Sequence, residues 1–469
     1  MMSSRTSFSV VHGEPELVVP AGPTPRELKN LSDIDDQEGL RFQHQVIMFY
    51  QKSHVMEGKH PATVIKYGLA EALVHYYPLA GRLREWPNRK LTVDCSGEGI
   101  LFVEAEAHVS LKELGNSILP PCPHMKELLL DVPGSQGILG CPLLLFQVTR
   151  LTCGGFAFAA RMNHTICDSL GLVQFLTMVG EIARGVSISQ FPVWQRELFS
   201  ARDPPRITYA HHEYDQTKHC SNKDTMDFDQ MAHESFFFGP KEIATLRSHL
   251  PQHLRKCSTF EILSACLWKC RTKALGLEPN EIVGLSPFIT ARGKVGLHVP
   301  NGYYGNAFAF PMALSKAGLL CQSPLEYALG LIKKAKAQMG LEYVRSVADL
   351  MVLKGRPKYK TKENYLIGDT THVGFYDVDF GWGSPIYGGP AGAIPFVSFY
   401  GRFRNNEGED GVVVPILLPH HVMKRFLFEL VKITSEVPVE ELSFPCAFLS
   451  RERQPTYDGI ALPLDAMCM

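Results

Sequence analysis

His164-Thr165-Ile166-Cys167-Asp168 sets an imidazole and a carboxylate four residues apart at the point where an apolar run gives way to a helical pattern. A histidine titrates near neutrality, so a ring held at such a corner is suited to take a proton from a hydroxyl as a general base. The spacing alone does not establish that role. With 18 histidines and aspartate at roughly one residue in twenty, about one H-x-x-x-D is expected by chance. A second copy, His211…Asp215, lies in a polar stretch punctuated by proline. It reads as the accidental match, so its loss is expected to be nearly silent.

The elements around the first copy are what single it out. Phe156 to Met162 is small, apolar and strand-like, whereas Leu170 to Gly185 repeats apolar residues at helical spacing through Leu172, Val173, Leu176, Val179 and Ile182. His164 therefore ends a strand, and Asp168 stands where a short carboxylate can cap a helix N-terminus. Other helical stretches are Pro61 to Tyr76, Thr259 to Leu275, Pro324 to Met339 and His420 to Glu436. Strands are expected at Lys90 to Val93, Ile100 to Glu104, Leu143 to Leu151, Val283 to Thr290, Phe396 to Arg402 and Gly411 to Leu417. This mixed order suggests two α/β sandwiches. From Gln190 to Glu234 no period of 2 or 3.6 survives, and the stretch reads as a long crossover, with Phe236-Phe237-Phe238 restarting a buried strand.

Composition bounds the partners. At 469 residues the chain is long enough for two domains. Lys plus Arg (47) nearly balances Asp plus Glu (48), which gives no electrostatic case for nucleic acid or an anionic membrane. The first 13 residues lack the apolar core of a secretory signal, and no run approaches the ~18 apolar residues of a membrane helix. A soluble, intracellular protein acting on small molecules is expected. The 12 cysteines form no C-x-x-C pair and read as small buried hydrophobes. His420-His421 and His211-His212 have no third ligand at usable spacing, so no metal is expected. Ala466 to Met469 is neither a peroxisomal tripeptide nor a prenylation box.

Three further motifs keep company with His164: Tyr76-Tyr77-Pro78-Leu79-Ala80-Gly81-Arg82-Leu83 upstream, Gly302-Tyr303-Tyr304-Gly305-Asn306, and Asp379-Phe380-Gly381-Trp382-Gly383 downstream. In this order and spacing the chain resembles the plant BAHD acyl-CoA-dependent acyltransferases from about Glu14 to its last helix. Pro15 to Val18, Pro23-Thr24-Pro25, Leu31 to Asp36 and Val132 to Ser135 are most similar to the alcohol acyltransferases related to benzyl alcohol O-benzoyltransferase.

The resemblance implies two chloramphenicol-acetyltransferase-like domains with mixed sheets flanked by helices: residues 1–190 carrying H-x-x-x-D, a linker at 191–234, and residues 235–469 carrying D-F-G-W-G. A channel would run between them, with His164 midway as the general base. Asp168 would turn away from His164 toward Arg292, and Asp379, Gly381, Trp382 and Gly383 would support the fold. The protein would be a cytoplasmic monomer, with acyl-CoA as a co-substrate and no bound cofactor. Ser258 and Thr259, which also open a capping-box pattern with Glu261, would lie near the CoA phosphates. The family usually has glycine immediately after the aspartate, where this chain has Ser169.

Two departures concern substrate. Ser384 follows D-F-G-W-G where many relatives carry arginine or lysine, which disfavours an acceptor with a carboxylate and makes Ser384 an acceptor-pocket candidate. Val397 stands where relatives place a threonine that helps the oxyanion, with Ser398 adjacent. The implied reaction is transfer from benzoyl-CoA to benzyl alcohol or a similar neutral alcohol. Acetyl-CoA or a branched acyl-CoA with an aliphatic alcohol or an alkaloid hydroxyl is the alternative, and a non-catalytic member that binds a partner enzyme is the alternative of another class.

Overall fold

The strand that delivers His164, Phe156–Asn163, is buried along its whole length. That explains its unbroken apolar run: it lies between Leu144–Leu151 and Gln43–Tyr50, antiparallel to both, and packs on both faces. In a computed structural model that describes residues 8–215, 230–294, 296–361, 363–394 and 396–435, these strands form the centre of a seven-stranded sheet. Ile100–Ala107 adds to it parallel to Leu144–Leu151. Its far edge is Tyr387–Pro390, a strand from late in the chain paired to Gln43–Tyr50.

A second, six-stranded sheet runs in the order Met231–Phe238, Asp410–Pro419, Val397–Arg404, Asn364–Asp369, Ile282–Pro287 and Ala313–Lys316. Its middle pairs are parallel and its outer pairs antiparallel, so both sheets are mixed. The helices Pro61–His75 and Ser169–Ala183 pack against each other over the first sheet. Thr259–Leu275 packs with Leu325–Ala337 and His420–Thr434 over the second. A third apolar cluster, drawing Ile34 and Leu40 from the start of the chain and Phe308, Leu366 and Val397 from its second half, fills the space between.

The expected helices are present within two residues at each end. One expected strand breaks: Val283 to Thr290 becomes Ile282–Pro287 and a separate Ile289–Thr290 that pairs with Phe308–Ala309. Pro287 supplies no N–H to continue the ladder, and the bend after it carries Arg292 toward Asp168. The crossover is also more tightly held than its polarity suggests. Arg196 is buried, and Arg202 bonds Asp349 at 2.6 Å and Glu342 at 2.6 Å. Residues 216–229 of the crossover and the tail motif 466–469 lie outside the described residues.

Candidate active site

Backbone hydrogen bonds fix the corner that carries His164. Its N–H donates to the Phe42 carbonyl at 3.0 Å, the Asn163 side-chain oxygen accepts from the N–H and hydroxyl of Thr165, and the Asn306 amide donates to the His164 carbonyl at 2.9 Å. The ring itself is only lightly tethered: its Nδ1 is buried without a hydrogen-bond partner of good geometry. It sits among Phe42, His44 and Phe308, with ring centroids 5.2, 5.5 and 6.1 Å away. Burial holds the imidazole pKa below its ordinary 6.5, an effect only partly offset by the residue's own carbonyl, the Asp168 carboxylate, the Asn306 side chain and the Asp35 carboxylate. A neutral imidazole is the form that can accept a proton.

His164 faces a cavity lined on its apolar side by Phe42, Phe288, Phe310, Leu366, Val397 and Phe399. This lining suits the apolar part of a small organic substrate.

Asp168 serves both of its expected structural purposes. Its Oδ1 caps Ser169–Ala183 by accepting from the Gly171 N–H at 2.9 Å. Arg292 forks across the carboxylate at 2.6 and 3.2 Å, and the Ala307 N–H adds a bond at 3.1 Å. Arg292 also donates to the carbonyls of Tyr303 and Gly305, so the ion pair ties the motif helix to the Gly302–Asn306 segment. Glycine is needed at 171 rather than 169, since a Cβ at 171 would lie 2.0 Å from the Tyr304 carbonyl oxygen. Asp168→Ala and Arg292→Ala should each cost on the order of 3–5 kcal/mol by stranding one charge of a largely buried pair. A double-mutant cycle read by denaturant unfolding should show strong coupling; simple additivity would mean that the contact carries no energy.

Asp379 is a brace for a loop. Its Oδ1 accepts from the N–H groups of Gly381 and Gly383 at 2.7 and 2.8 Å, and its other oxygen meets Arg184 at 3.1 Å. Phe380 packs on Tyr50 and Phe158, and Trp382 stands edge-on to Phe156. The D-F-G-W-G loop is thus bound to the core under the first sheet, on the motif helix. Gly180 of that helix admits it, since a Cβ there would lie 2.4 Å from the Asp379 carbonyl oxygen.

Ser258 caps Thr259–Leu275 in a complete capping box with Glu261, and Lys336 pairs with Glu261 at 2.8 Å. Ser384 is exposed and is not among the residues lining the cavity beside His164. Buried Pro385 leads straight into the edge strand Tyr387–Pro390, which holds the loop outside. The acceptor argument at position 384 therefore has no contact with this cavity to rest on. Val397 does line the cavity, whereas Ser398 points to the other face of its strand and accepts from the Tyr365 hydroxyl at 2.9 Å, so Ser398 is not placed to stabilise an oxyanion there.

The expectation that His211 is dispensable needs correction. Asp215 bonds His212 instead, so H-x-x-x-D is indeed not a working unit here. His211 itself is buried, with Nδ1 3.0 Å from Glu213 and Nε2 2.8 Å from Ser346, and its loss would break a buried network rather than pass unnoticed.

The sequence assigns no role to two residues beside the site, although Asp35 lies in the Leu31 to Asp36 block. Asp35 is fully buried and accepts from Arg196, from both the N–H and the side-chain amide of Asn306, and from Ser32. It thereby fixes the same Asn306 that holds the His164 carbonyl. His44 is the other. Burial pushes its imidazole down to about 3, His164 alongside adding to the effect, so both histidines are neutral together. Among the described residues no group of three His, Cys, Asp or Glu could hold a metal, and no helix is long and apolar enough to cross a membrane.

Comparison with known proteins gives consistent relatives. The sequence profile of the family described as "Transferase family" matches residues 8–430. Alcohol acyltransferase 16 of Actinidia chinensis var. chinensis is 60% identical over 433 residues, covering 92% of this chain and 94% of that protein. Benzyl alcohol O-benzoyltransferase of Petunia hybrida is 57% identical over 435 residues, covering 91% and 94%. The crystal structure of vinorine synthase superposes with a TM-score of 0.71 at 20% identity over 91% of this chain and 99% of that one. F. graminearum TRI101 complexed with Coenzyme A and T-2 mycotoxin gives 0.66 at 15% identity over 85% and 96%. At these identities the two structures speak to the fold.

Proposed function

This chain belongs to the BAHD Transferase family and is an acyl-CoA:alcohol O-acyltransferase; from that premise we propose that it transfers the benzoyl group of benzoyl-CoA to benzyl alcohol or a similar neutral alcohol, with His164 as general base. The observation that carries the role of His164 is its position as a neutral, lightly tethered imidazole at the wall of an apolar cavity.

In the proposed step the alcohol oxygen gives its proton to His164 as it attacks the thioester carbonyl. The new C–O bond forms, the C–S bond breaks, and the CoA sulfur takes the proton back from the imidazolium. The reaction needs both substrates together and leaves no acyl group on the protein. Asp168 and Arg292 hold the motif helix against the Gly302–Asn306 segment, and Asp379 holds the D-F-G-W-G loop. The CoA arm passes the first turn of Thr259–Leu275 at Ser258 and Thr259, where the start of a helix suits phosphate. The proposed division keeps 1–190 and 235–469 as two domains joined by 191–234, with Tyr387–Pro390 of the second lent to the sheet of the first.

The test is a matrix of CoA thioesters (benzoyl, acetyl, branched short-chain) against alcohols (benzyl, aliphatic, alkaloid), with ester products identified by mass spectrometry. Benzyl benzoate as the fastest product supports the reading. A faster acetyl or aliphatic ester would replace the substrates and keep the chemistry, and absence of any ester would overturn it.

A further inference from the structure

Lys358 is the one residue lining the His164 cavity whose charged nitrogen is withdrawn from solvent and has no hydrogen-bond partner among the described residues. The other strongly polar groups of the lining are committed. Glu38 pairs with Arg89 at 2.5 Å, Gln37 accepts from the Tyr214 hydroxyl, and the Tyr359 hydroxyl accepts from Asn364 at 2.9 Å. The rest of the wall is chiefly aromatic and aliphatic. An ammonium in such a place is costly until an oxygen reaches it, and no side chain of the lining does so.

The geometry points to Lys358 as a specificity-determining residue that binds a second oxygen of the acyl acceptor. The acceptor's reacting hydroxyl must sit at His164, so the remainder of that molecule extends into the cavity that the lysine shares. The acceptor class this selects is a neutral alcohol, such as a substituted benzyl alcohol, that bears a hydrogen-bond-accepting hydroxyl or ether oxygen at its far end. The inference rests on the reading of His164 as the base that holds the acceptor, and it refines which alcohols that base serves.

The experiment compares wild type, Lys358→Met and Lys358→Arg, using whichever acyl-CoA the wild type turns over. The acceptors are 4-methylbenzyl alcohol as the hydrocarbon reference, with 4-methoxybenzyl alcohol, 4-hydroxybenzyl alcohol and 4-(hydroxymethyl)benzoate. The expected readout is the ratio of kcat/KM for each oxygenated acceptor to that of the reference. Lys358→Met should lower it by about 10–100-fold, the range for losing one hydrogen bond to a charged group, chiefly through KM of the acceptor. Lys358→Arg should recover most of it. A loss across the ether and phenol supports the inference, and a loss confined to the carboxylate would overturn its neutral acceptor. Unchanged ratios in the folded Met variant would overturn the inference, as would a change that follows substituents on the acyl-CoA instead. Wild type inactive on every pair would instead be a failure of the proposed function itself.

Discussion

Replacing His164 with alanine should lower kcat by about 10²–10⁴-fold, the usual consequence of losing a positioned general base, while the melting temperature and the affinity for CoA change little. The ring makes no hydrogen bond of good geometry through its buried Nδ1, and the corner is held through the backbone carbonyl and N–H of the same residue, which alanine retains. Loss of the imidazole therefore removes the proton acceptor without dismantling the turn. The comparison needs kcat at saturating alcohol, a thermal melt, and CoA binding by calorimetry on both proteins. A variant that keeps more than a tenth of wild-type kcat would remove His164 from the chemistry.

Asp35→Ala should be the most damaging substitution to the fold near the site. The carboxylate is fully buried, and Arg196, whose side chain is 2% exposed, makes two contacts with it at 2.9 and 2.8 Å. Without Asp35 that guanidinium would be stranded among Trp194, Tyr303 and Tyr304. Breaking one side of such a pair costs on the order of 3–5 kcal/mol, and the bonds from Asn306 and Ser32 are lost with it. Soluble yield and melting temperature should both fall, and activity should fall with them, because Asn306 loses the partner that orients it toward the His164 carbonyl. The companion variant Asp35→Leu/Arg196→Met, which removes both charges, should be far less unstable than the sum of its parts. An Asp35→Ala protein as stable as wild type would show that the buried network does not hold the site.

Local patterns made the elements around His164 readable in the sequence. The apolar run 156–162 marked a strand buried on both faces, the 3.6-residue spacing after 170 marked the motif helix, and Ser258 with Glu261 marked the start of another helix to the residue. The fold and the Asp168–Arg292 pairing were reached through the resemblance to known acyltransferases, because no local rule brings residues 124 positions apart together. The misses have a common cause. Gln43–Tyr50 begins with polar Gln43, His44 and Gln45, and Asn364–Asp369 is short, so neither declares its place in a sheet centre. Asp35 and Arg196 lie 161 residues apart in polar surroundings where each reads as a surface charge. His211 looked like a loop residue for the same reason. Ser384 was judged by its neighbours in sequence, and a strand exchanged between sheets decided where it lies.

The measurement that addresses the central claim most directly is the pH dependence of kcat/KM for the alcohol, in wild type and in His164→Ala. A general base works only when deprotonated, and burial lowers the His164 pKa below 6.5. Activity should therefore rise with pH along a single limb centred below 6.5 and stay level through neutral pH, since lowering the pKa extends the neutral form toward acid. In His164→Ala the small residual rate should lose that limb. A wild-type rate that is independent of pH across this range, or a limb that persists unchanged without His164, would contradict the account.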